Sequence, residues 1–168
     1  MNPMREIKIE KVVLNIGVGE GGEKLKNAQK VLERLSGQKP VETIAKRTIP
    51  GFGIRRGRPI GCKVTIRGKR AEVLLDRMFE AVERRVRRSS IGNGTLSFGI
   101  NEYIDIPGMT YDPKVGIFGL NVCISFVRPG ARIKYRRRQP RSLPRSHAVA
   151  AEEVMSFVRE KFGVQVIE

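Results

Sequence analysis

The sequence has little of what a metal site or a membrane span requires. It contains one histidine, His147, and two cysteines, Cys62 and Cys123, with no Cys-x-x-Cys pair. Zinc sites in proteins are usually built from clusters of these residues, so no metal site and no cofactor are predicted. No apolar run approaches the ~20 residues of a membrane-spanning helix, which argues against a membrane protein.

The N-terminus and the cysteines point to the compartment. Residues 1–11 are too polar for a signal peptide, which predicts a cytoplasmic protein. Both cysteines lie in apolar segments typical of strands, and we expect both to be buried thiols rather than a disulfide.

Acidic residues are absent from two long stretches. Residues 46–70 contain nine lysines and arginines and no acid, and residues 128–145 contain eight and no acid. Together the two windows carry +17, whereas the whole chain carries +16, so the remainder has a net charge of −1. Charge concentrated in this way produces a positive field over part of a surface, and its commonest partner is a polyphosphate backbone.

The residues between the basic side chains argue against a membrane surface as that partner. A membrane-binding segment is an amphipathic helix with large apolar residues opposite its basic face. Both windows are instead rich in glycine and proline, which is typical of loops held out from a folded body. A nucleic acid is therefore the predicted ligand.

Hydrophobic periodicity predicts an α+β fold. Strands are expected at 7–16, 41–45, 60–67, 95–100 and 120–127, and helices at 23–35, 70–88 and 146–162. Gly37 is expected just beyond the first helix, and Ser146 as the N-cap of the third. Two long helices and tight glycine turns indicate a largely antiparallel sheet packed with helices. The length indicates a single domain, residues 1–168, with two long basic loops.

One motif suggests a different function. Gly17, Gly19 and Gly22 form Gly-x-Gly-x-x-Gly between a strand and a helix, and Glu42 follows where a ribose-binding acid would lie. Only one strand–helix–strand unit is visible, however, and Glu20 would place a carboxylate beside the pyrophosphate. A small dinucleotide-dependent enzyme is therefore the alternative hypothesis. No catalytic residues are predicted.

The first basic loop combines arginines with an apolar tip. Phe52 and Ile54 lie beside Arg55, Arg56 and Arg58, and glycines allow close backbone approach. Arginine contacts phosphates through several donors, and an aromatic ring stacks on bases or sugars. The alternative is a flexible basic loop whose Phe52 folds back on the core.

Three segments together resemble one family. They are Lys11–Gly19 (KVVLNIGVG), Ser36–Pro40 (SGQKP) and Ile60–Gly68 (IGCKVTIRG), with the loop Arg47–Pro59 between the second and the third. Tyr111-Asp112-Pro113 and Ile117–Leu120 fit the same pattern. The family is the universal large-subunit ribosomal protein five, which binds 5S rRNA, and the arginine-rich stretch at 128–145 resembles its archaeal form.

The resemblance implies a structural protein of the ribosomal central protuberance. It implies that Asn15, Gln38 and Thr65, with Lys11 and Lys63, bind 5S rRNA; turn-capping or simple solvation is the alternative for such residues. It also implies that the first basic loop reaches the peptidyl-site tRNA, through Arg47, Phe52, Arg55, Arg56 and Arg58.

Further partners follow from the same resemblance. Residues 100–118 are assigned to the small-subunit ribosomal protein thirteen, and neighbouring 5S rRNA-binding proteins are also expected. Large-subunit rRNA or tRNA is expected on the second window, at Arg132, Lys134, Arg136, Arg137 and Arg138. An RNA-binding protein outside the ribosome remains a third hypothesis.

Overall fold

The computed structural model describes residues 2–167. Strands β1 (Lys8–Gly17), β2 (Val41–Ile44), β3 (Pro59–Ile66), β5 (Ile91–Gly92), β6 (Thr95–Ile100) and β7 (Leu120–Val127) form a six-stranded sheet in the order β2-β3-β1-β7-β6-β5. Strands β4 (Arg85–Arg87) and β8 (Gln165–Ile167) form a separate parallel pair. The helices are α1 (Glu23–Ser36), α2 (Lys69–Ala81) and α3 (Ala151–Phe162). The α+β class and the mostly antiparallel sheet are confirmed.

The chain divides into two compact units. The first comprises residues 1–12, 67–98 and 123–168, and the second comprises residues 13–66 and 99–122. In the second unit, α1 packs on β3 through its predicted apolar stripe of Leu25, Ala28, Val31, Leu32 and Leu35. In the first unit, the ring of Phe79 stacks on Phe98 at 5.3 Å and contacts Phe162 at 5.2 Å between ring centroids.

The second helix is shorter than its sequence predicts. It ends at Ala81 rather than Arg88, and Glu83 and Arg84 adopt left-handed backbone angles, with φ of 54° and 55°. Arg85–Arg87 then pairs with β8, and the Arg84 guanidinium bonds the Phe162 carbonyl oxygen at the end of α3. Because Arg85–Arg87 pairs with β8, residues 82–88, the last two turns of the predicted helix, are not α-helical.

The third helix also begins later than predicted, because its N-terminal residues are held elsewhere. It starts at Ala151 with Ala150 as N-cap, so Ser146 is not the cap. Arg145–His147 forms a single 3-10 turn, in which the Ser146 carbonyl accepts a hydrogen bond from Arg128 and the His147 ring bonds the Pro129 carbonyl oxygen at 2.9 Å.

The two cysteines differ in exposure. Cys62 is buried, as predicted, but Cys123 is exposed. Strand β7 points Val122, Ile124 and Phe126 into the core, and the alternation leaves Cys123 on its other side. The prediction that both thiols are buried was therefore wrong for Cys123.

Candidate RNA interface

Strand alternation in the second unit creates a polar surface opposite the core. On β3, Cys62, Val64 and Ile66 are buried, whereas Lys63 and Thr65 are exposed. On β1, Leu14 and Ile16 are buried and Asn15, between them, is half-buried on the other side. We call Asn15, Lys63, Thr65 and the nearby Gln38 the polar face.

Strand pairing brings these residues together. The amides of Val18 and Gly19 donate to the Ile60 carbonyl at 2.9 and 2.8 Å, so the end of β1 lies beside the start of β3. A Cβ on Gly61 would lie 3.4 Å from the Gly17 Cα, which sets these two residues opposite each other. Two residues further along an antiparallel pair, Asn15 comes beside Lys63.

Gln38 is held near this surface by the end of α1. Gly37 adopts a left-handed conformation, with φ of 65°, and its amide bonds the Glu33 carbonyl. The Ser36 hydroxyl accepts a hydrogen bond from the Gln38 amide at 3.2 Å. Only two residues, Lys39 and Pro40, separate Gln38 from Val41. Val41 pairs with Lys63 across β2 and β3, and the chain keeps Gln38 within about 10 Å of Val41.

The hydrogen-bonding groups of the polar face are not used inside the protein. Across residues 2–167, the side chains of Asn15, Gln38 and Thr65 make no hydrogen bond, and Lys63 makes no ion pair. None of them caps a turn, so the capping alternative does not apply. Lys11 is also without an ion pair; it lies on β1 in the part belonging to the first unit. The face therefore presents amide, hydroxyl and ammonium groups to a polar ligand.

The first basic loop is an ordered extension of the β2–β3 hairpin. The amide of Ala45 donates to the Arg58 carbonyl at 2.8 Å, and Ile49 bridges to Ile54. The tip is a 3-10 turn at Pro50–Phe52, closed by Gly53 with φ of 65°. We call residues 45–58 the basic hairpin.

The side chains of the basic hairpin point to solvent. Phe52 is 78% exposed, so the alternative in which it folds back on the core is wrong. The arginines Arg47, Arg55, Arg56 and Arg58 are also exposed and make no ion pair within residues 2–167. The hairpin thus presents an aromatic ring at its tip with cations behind it.

The second window is folded as well. Its base is fixed because Arg128 bonds Ser146 and pairs with Glu153. Its outer part contains a 3-10 turn at Ala131–Lys134, and the amide of Arg141 returns to the Ile133 carbonyl at 3.2 Å. The predicted RNA-contacting residues Arg132, Lys134, Arg136, Arg137 and Arg138 are all exposed.

Tyr135 was missed in the prediction of site residues. It is 68% exposed, and the Lys134 ammonium lies 5.6 Å from its ring centroid. An aromatic residue between Lys134 and Arg136 follows the same pattern as Phe52 in the first window, and that interleaving is a signal typical of RNA-binding surfaces.

The glycine motif does not form a dinucleotide site. The Val18 and Gly19 amides, which would have to face a phosphate, are already bonded to Ile60. Strand β3 lies between β1 and β2, whereas the dinucleotide fold needs those two strands as parallel neighbours. Glu42 accepts a hydrogen bond from Gln29 at 2.9 Å instead of facing a ribose.

The ionisable residues do not build a metal centre or a reactive thiolate. Within residues 2–167 no three His, Cys, Asp or Glu side chains group closely enough to hold a metal ion. Burial, with a smaller contribution from Glu42, raises the pKa of the Cys62 thiol to about 11. Among the helices of the described chain, none has the length and apolarity that a membrane crossing would need.

Comparison with known proteins assigns the family. Residues 2–55 match the family model described as ribosomal protein L5, and residues 59–157 match the model for the C-terminus of the same ribosomal family. The chain belongs to the ribosomal protein L5 family. This confirms the resemblance seen in the sequence and the prediction that the chain is a ribosomal protein and not an enzyme.

The similar curated proteins are archaeal. Each is named large ribosomal subunit protein uL5. The protein of Sulfurisphaera tokodaii is 51% identical over 100% of this chain and 96% of its own length. That of Methanosphaera stadtmanae is 48% identical over 99% of each chain, and that of Archaeoglobus fulgidus is 50% identical over 98% of this chain and 92% of its own. The archaeal character of the L5 chain is confirmed.

Proposed function

We propose that this L5-family chain is a structural protein of the large ribosomal subunit that binds 5S rRNA through its polar face. The observation that carries the proposal is the set of unpaired side chains at Asn15, Gln38 and Thr65, aligned by two neighbouring strands and a helix end. The relatives named large ribosomal subunit protein uL5 support the proposal that this chain is part of the large subunit. Lys63, on the polar face, and Lys11, four residues before Asn15 in the sequence, supply positive charge.

The chemistry of this face suits double-stranded RNA. An A-form helix displays 2′-hydroxyls and base edges in a wide, shallow minor groove, and proteins recognise it mainly by its shape. Amide and hydroxyl side chains both donate and accept hydrogen bonds, so they match a 2′-hydroxyl, which does the same. Lys63 beside the three neutral groups adds a phosphate contact without making the interface depend on charge alone.

The basic hairpin is proposed to contact a second RNA, the peptidyl-site tRNA. Its tip combines the exposed ring of Phe52 with Arg55, Arg56 and Arg58 on the returning side. Arginines bind phosphates through several donors, and an aromatic ring stacks on an exposed base. These groups lie in the extension of the β2–β3 hairpin, whereas Lys63 and Thr65 lie on strand β3 itself.

Residues 100–118 are proposed to face the small-subunit ribosomal protein thirteen. This segment is ordered, because Asp112 pairs with Arg34 at 3.2 Å and the Asn27 amide bonds the Lys114 carbonyl at 3.0 Å. It leaves Tyr111 and Ile117 more than half exposed. Arg132, Lys134, Arg136, Arg137 and Arg138 of the second window are proposed to contact large-subunit rRNA.

Single alanine substitutions test the polar face. Asn15→Ala, Gln38→Ala and Thr65→Ala should each weaken 5S rRNA binding about fivefold, since a hydrogen bond contributes about 1 kcal/mol. Filter binding or calorimetry with purified 5S rRNA measures the loss. Thr110→Ala is the matched control, because it removes an exposed hydroxyl at residue 110, outside the polar face, and should change nothing.

Two results would contradict this proposal. One is unchanged 5S rRNA affinity in all three variants, which would place the contact elsewhere. The other is equal affinity for 5S rRNA and for a mixed RNA pool, which would favour the non-ribosomal RNA-binding hypothesis.

A triple substitution tests the separate role of the hairpin. Replacing Arg55, Arg56 and Arg58 with alanine should leave isolated 5S rRNA affinity within about twofold and weaken tRNA binding to large subunits, because each lost cation removes a phosphate contact. The control is a second triple alanine variant that removes the same charge from helix α1, at Lys24, Lys26 and Lys30. A large loss of 5S rRNA binding in the hairpin variant alone would show that both RNAs share one site.

A further inference from the structure

A pocket of about 470 Å³ opens in the first unit beside the second basic window. Its lining includes the end of β7 and the turn that follows, residues 127–131, together with Tyr135. Its charged lining comes from Glu10, Lys11, Arg67, Arg128 and Arg132. The volume is in the range of small-ligand sites. We call it the Tyr135 pocket.

The single carboxylate that lines the pocket, Glu10, has within residues 2–167 one oxygen in a hydrogen bond and one oxygen without a hydrogen bond. One oxygen of Glu10, Oε2, accepts a hydrogen bond from the Ser125 hydroxyl at 2.8 Å. The other, Oε1, lies 4.0 Å from an Arg67 nitrogen, too far for a hydrogen bond. Glu10 is only 22% exposed at its side chain. A carboxylate oxygen in this state favours a ligand that carries hydrogen-bond donors.

The remaining charges of the pocket favour an anion. Lys11 and Arg132 make no ion pair among residues 2–167, whereas Arg128 is occupied by Glu153 and Ser146. Tyr135, which also lines the pocket, adds an exposed aromatic ring. A ligand that suits this pocket would donate hydrogen bonds to Glu10, stack a planar ring on Tyr135 and place a phosphate near Lys11 and Arg132. A single nucleotide has all three groups.

We propose that the Tyr135 pocket binds one unstacked guanine nucleotide of ribosomal RNA. Guanine offers N1–H and its N2 amino group side by side to a carboxylate, and its ring stacks on tyrosine. Uracil presents one N–H flanked by two carbonyl oxygens, which a carboxylate repels. The 5′-phosphate meets Lys11 and Arg132. This inference rests on the proposed function, namely that the chain binds ribosomal RNA.

Nucleotide titrations of the full chain test the pocket directly. Isotope-labelled protein is titrated with guanosine and with uridine 5′-monophosphate while its NMR signals are recorded. We expect saturable chemical-shift changes at Glu10, Arg67 and Tyr135. Guanosine 5′-monophosphate should bind at least threefold more tightly than uridine 5′-monophosphate. Tyr135→Ala should weaken guanosine binding at least fivefold, the lower end of what base stacking contributes.

Two further variants separate the roles of the side chains. Glu10→Gln should remove the preference for guanosine over uridine while leaving Tyr135 signals responsive. Tyr111→Ala removes a comparably exposed tyrosine of the second unit and should bind both nucleotides as the unaltered chain does. Because Tyr135 and Glu10 lie at the surface or near it, an unchanged dispersion of the remaining NMR signals shows that the variants are folded.

Three results would overturn the proposal. These are shifts that map outside the pocket, equal affinity for the two nucleotides, or the same shifts with inorganic phosphate alone. The 5S rRNA binding of the same sample is measured separately. If the unaltered chain does not bind 5S rRNA, the proposed function is contradicted. If it binds 5S rRNA but no mononucleotide, only the proposal about the pocket is contradicted.

Discussion

At the scale of single residues, the side of the strand a residue occupies decides its chemistry. Lys63 and Thr65 are exposed because their neighbours Cys62, Val64 and Ile66 fill the core. A side chain that is one position out of place would leave the exposed face and enter the apolar interior. The two cysteines allow this contrast to be measured without any RNA.

Thiol labelling should distinguish the two cysteines at once. At pH 8, with a pKa of about 11, Cys62 is roughly one part in a thousand thiolate, and it is buried as well. Cys123 is exposed. We expect one thiol per chain to react with a disulfide reagent quickly and the second only after unfolding. In Cys123→Ser no fast reaction should remain; a fast phase in that variant would show that Cys62 is accessible.

The residue-scale predictions succeeded where a residue's neighbours identify its face. Thr65 alternates with apolar neighbours, so its exposure follows from sequence alone. Cys123 lies in the same kind of pattern, on the side shared with Asn121 and Ser125. That alternation does mark the solvent side, but cysteine is usually buried, and the prediction followed the residue type instead of the pattern. Glu10 and Tyr135, distant in sequence, share a pocket through folding, which no local pattern records.

At the scale of elements, β3 is the strand on which the polar face depends. It lies between β1 and β2, and at Gly61 it is close to both of them. A Cβ added there would lie 2.7 Å from the Ile16 carbonyl oxygen and 2.9 Å from the Thr43 hydroxyl oxygen. Backbone cannot move aside as a flexible side chain does.

Gly61→Ala should therefore destabilise the protein by about 1–3 kcal/mol, the usual cost of overpacking. Urea unfolding measures this free energy. Gly17→Ala is the matched control, since a Cβ at Gly17 would meet nothing within 4 Å, and it should change stability by less than about 1 kcal/mol. Equal effects of the two substitutions would mean that the strands separate to admit a methyl group.

Element boundaries were predictable only where a local signal marks them. Gly37 ends α1 as predicted, and β6 and β7 match the expected ranges. Between Ala81 and Arg88 there is no glycine or proline to stop α2. The helix ends there because Arg85–Arg87 pairs with β8, which lies about 80 residues away and could not be anticipated from local propensity.

At the scale of the whole molecule, the excess positive charge and the residues proposed to bind 5S rRNA are separated along the chain. The basic hairpin and the second window contain most of the excess charge, whereas Asn15, Gln38 and Thr65 are neutral. Under the proposed function, charge would draw the chain to RNA from a distance, and the neutral groups would select the geometry at contact. The acid-free windows could be found from the sequence; their folded form could not.

The number of cooperative domains is the remaining whole-molecule prediction. Strands β1, β6 and β7 are each divided between the two units in mid-strand, with no linker. We therefore expect residues 1–168 to unfold in one transition. The chain has no tryptophan, so Tyr103→Trp and Phe162→Trp each place a single probe, one per unit. In urea unfolding, the midpoint measured by tryptophan fluorescence should equal the midpoint measured by circular dichroism for the same variant.

Separate midpoints would show two domains instead of one. A loss of stability in either variant does not affect this comparison, because fluorescence and circular dichroism are read from the same sample.

The order of strands in the sheet also governs when the chain can fold during its own synthesis. Strand β1 is made first, but its neighbours are β3 and β7, which end at residues 66 and 127. The first strand must therefore wait with one edge open until about three-quarters of the polypeptide has been translated. A newly made chain this basic, with an unpaired strand edge, is exposed to misassembly with RNA during that interval. Early protection of β1 would shorten the period of risk.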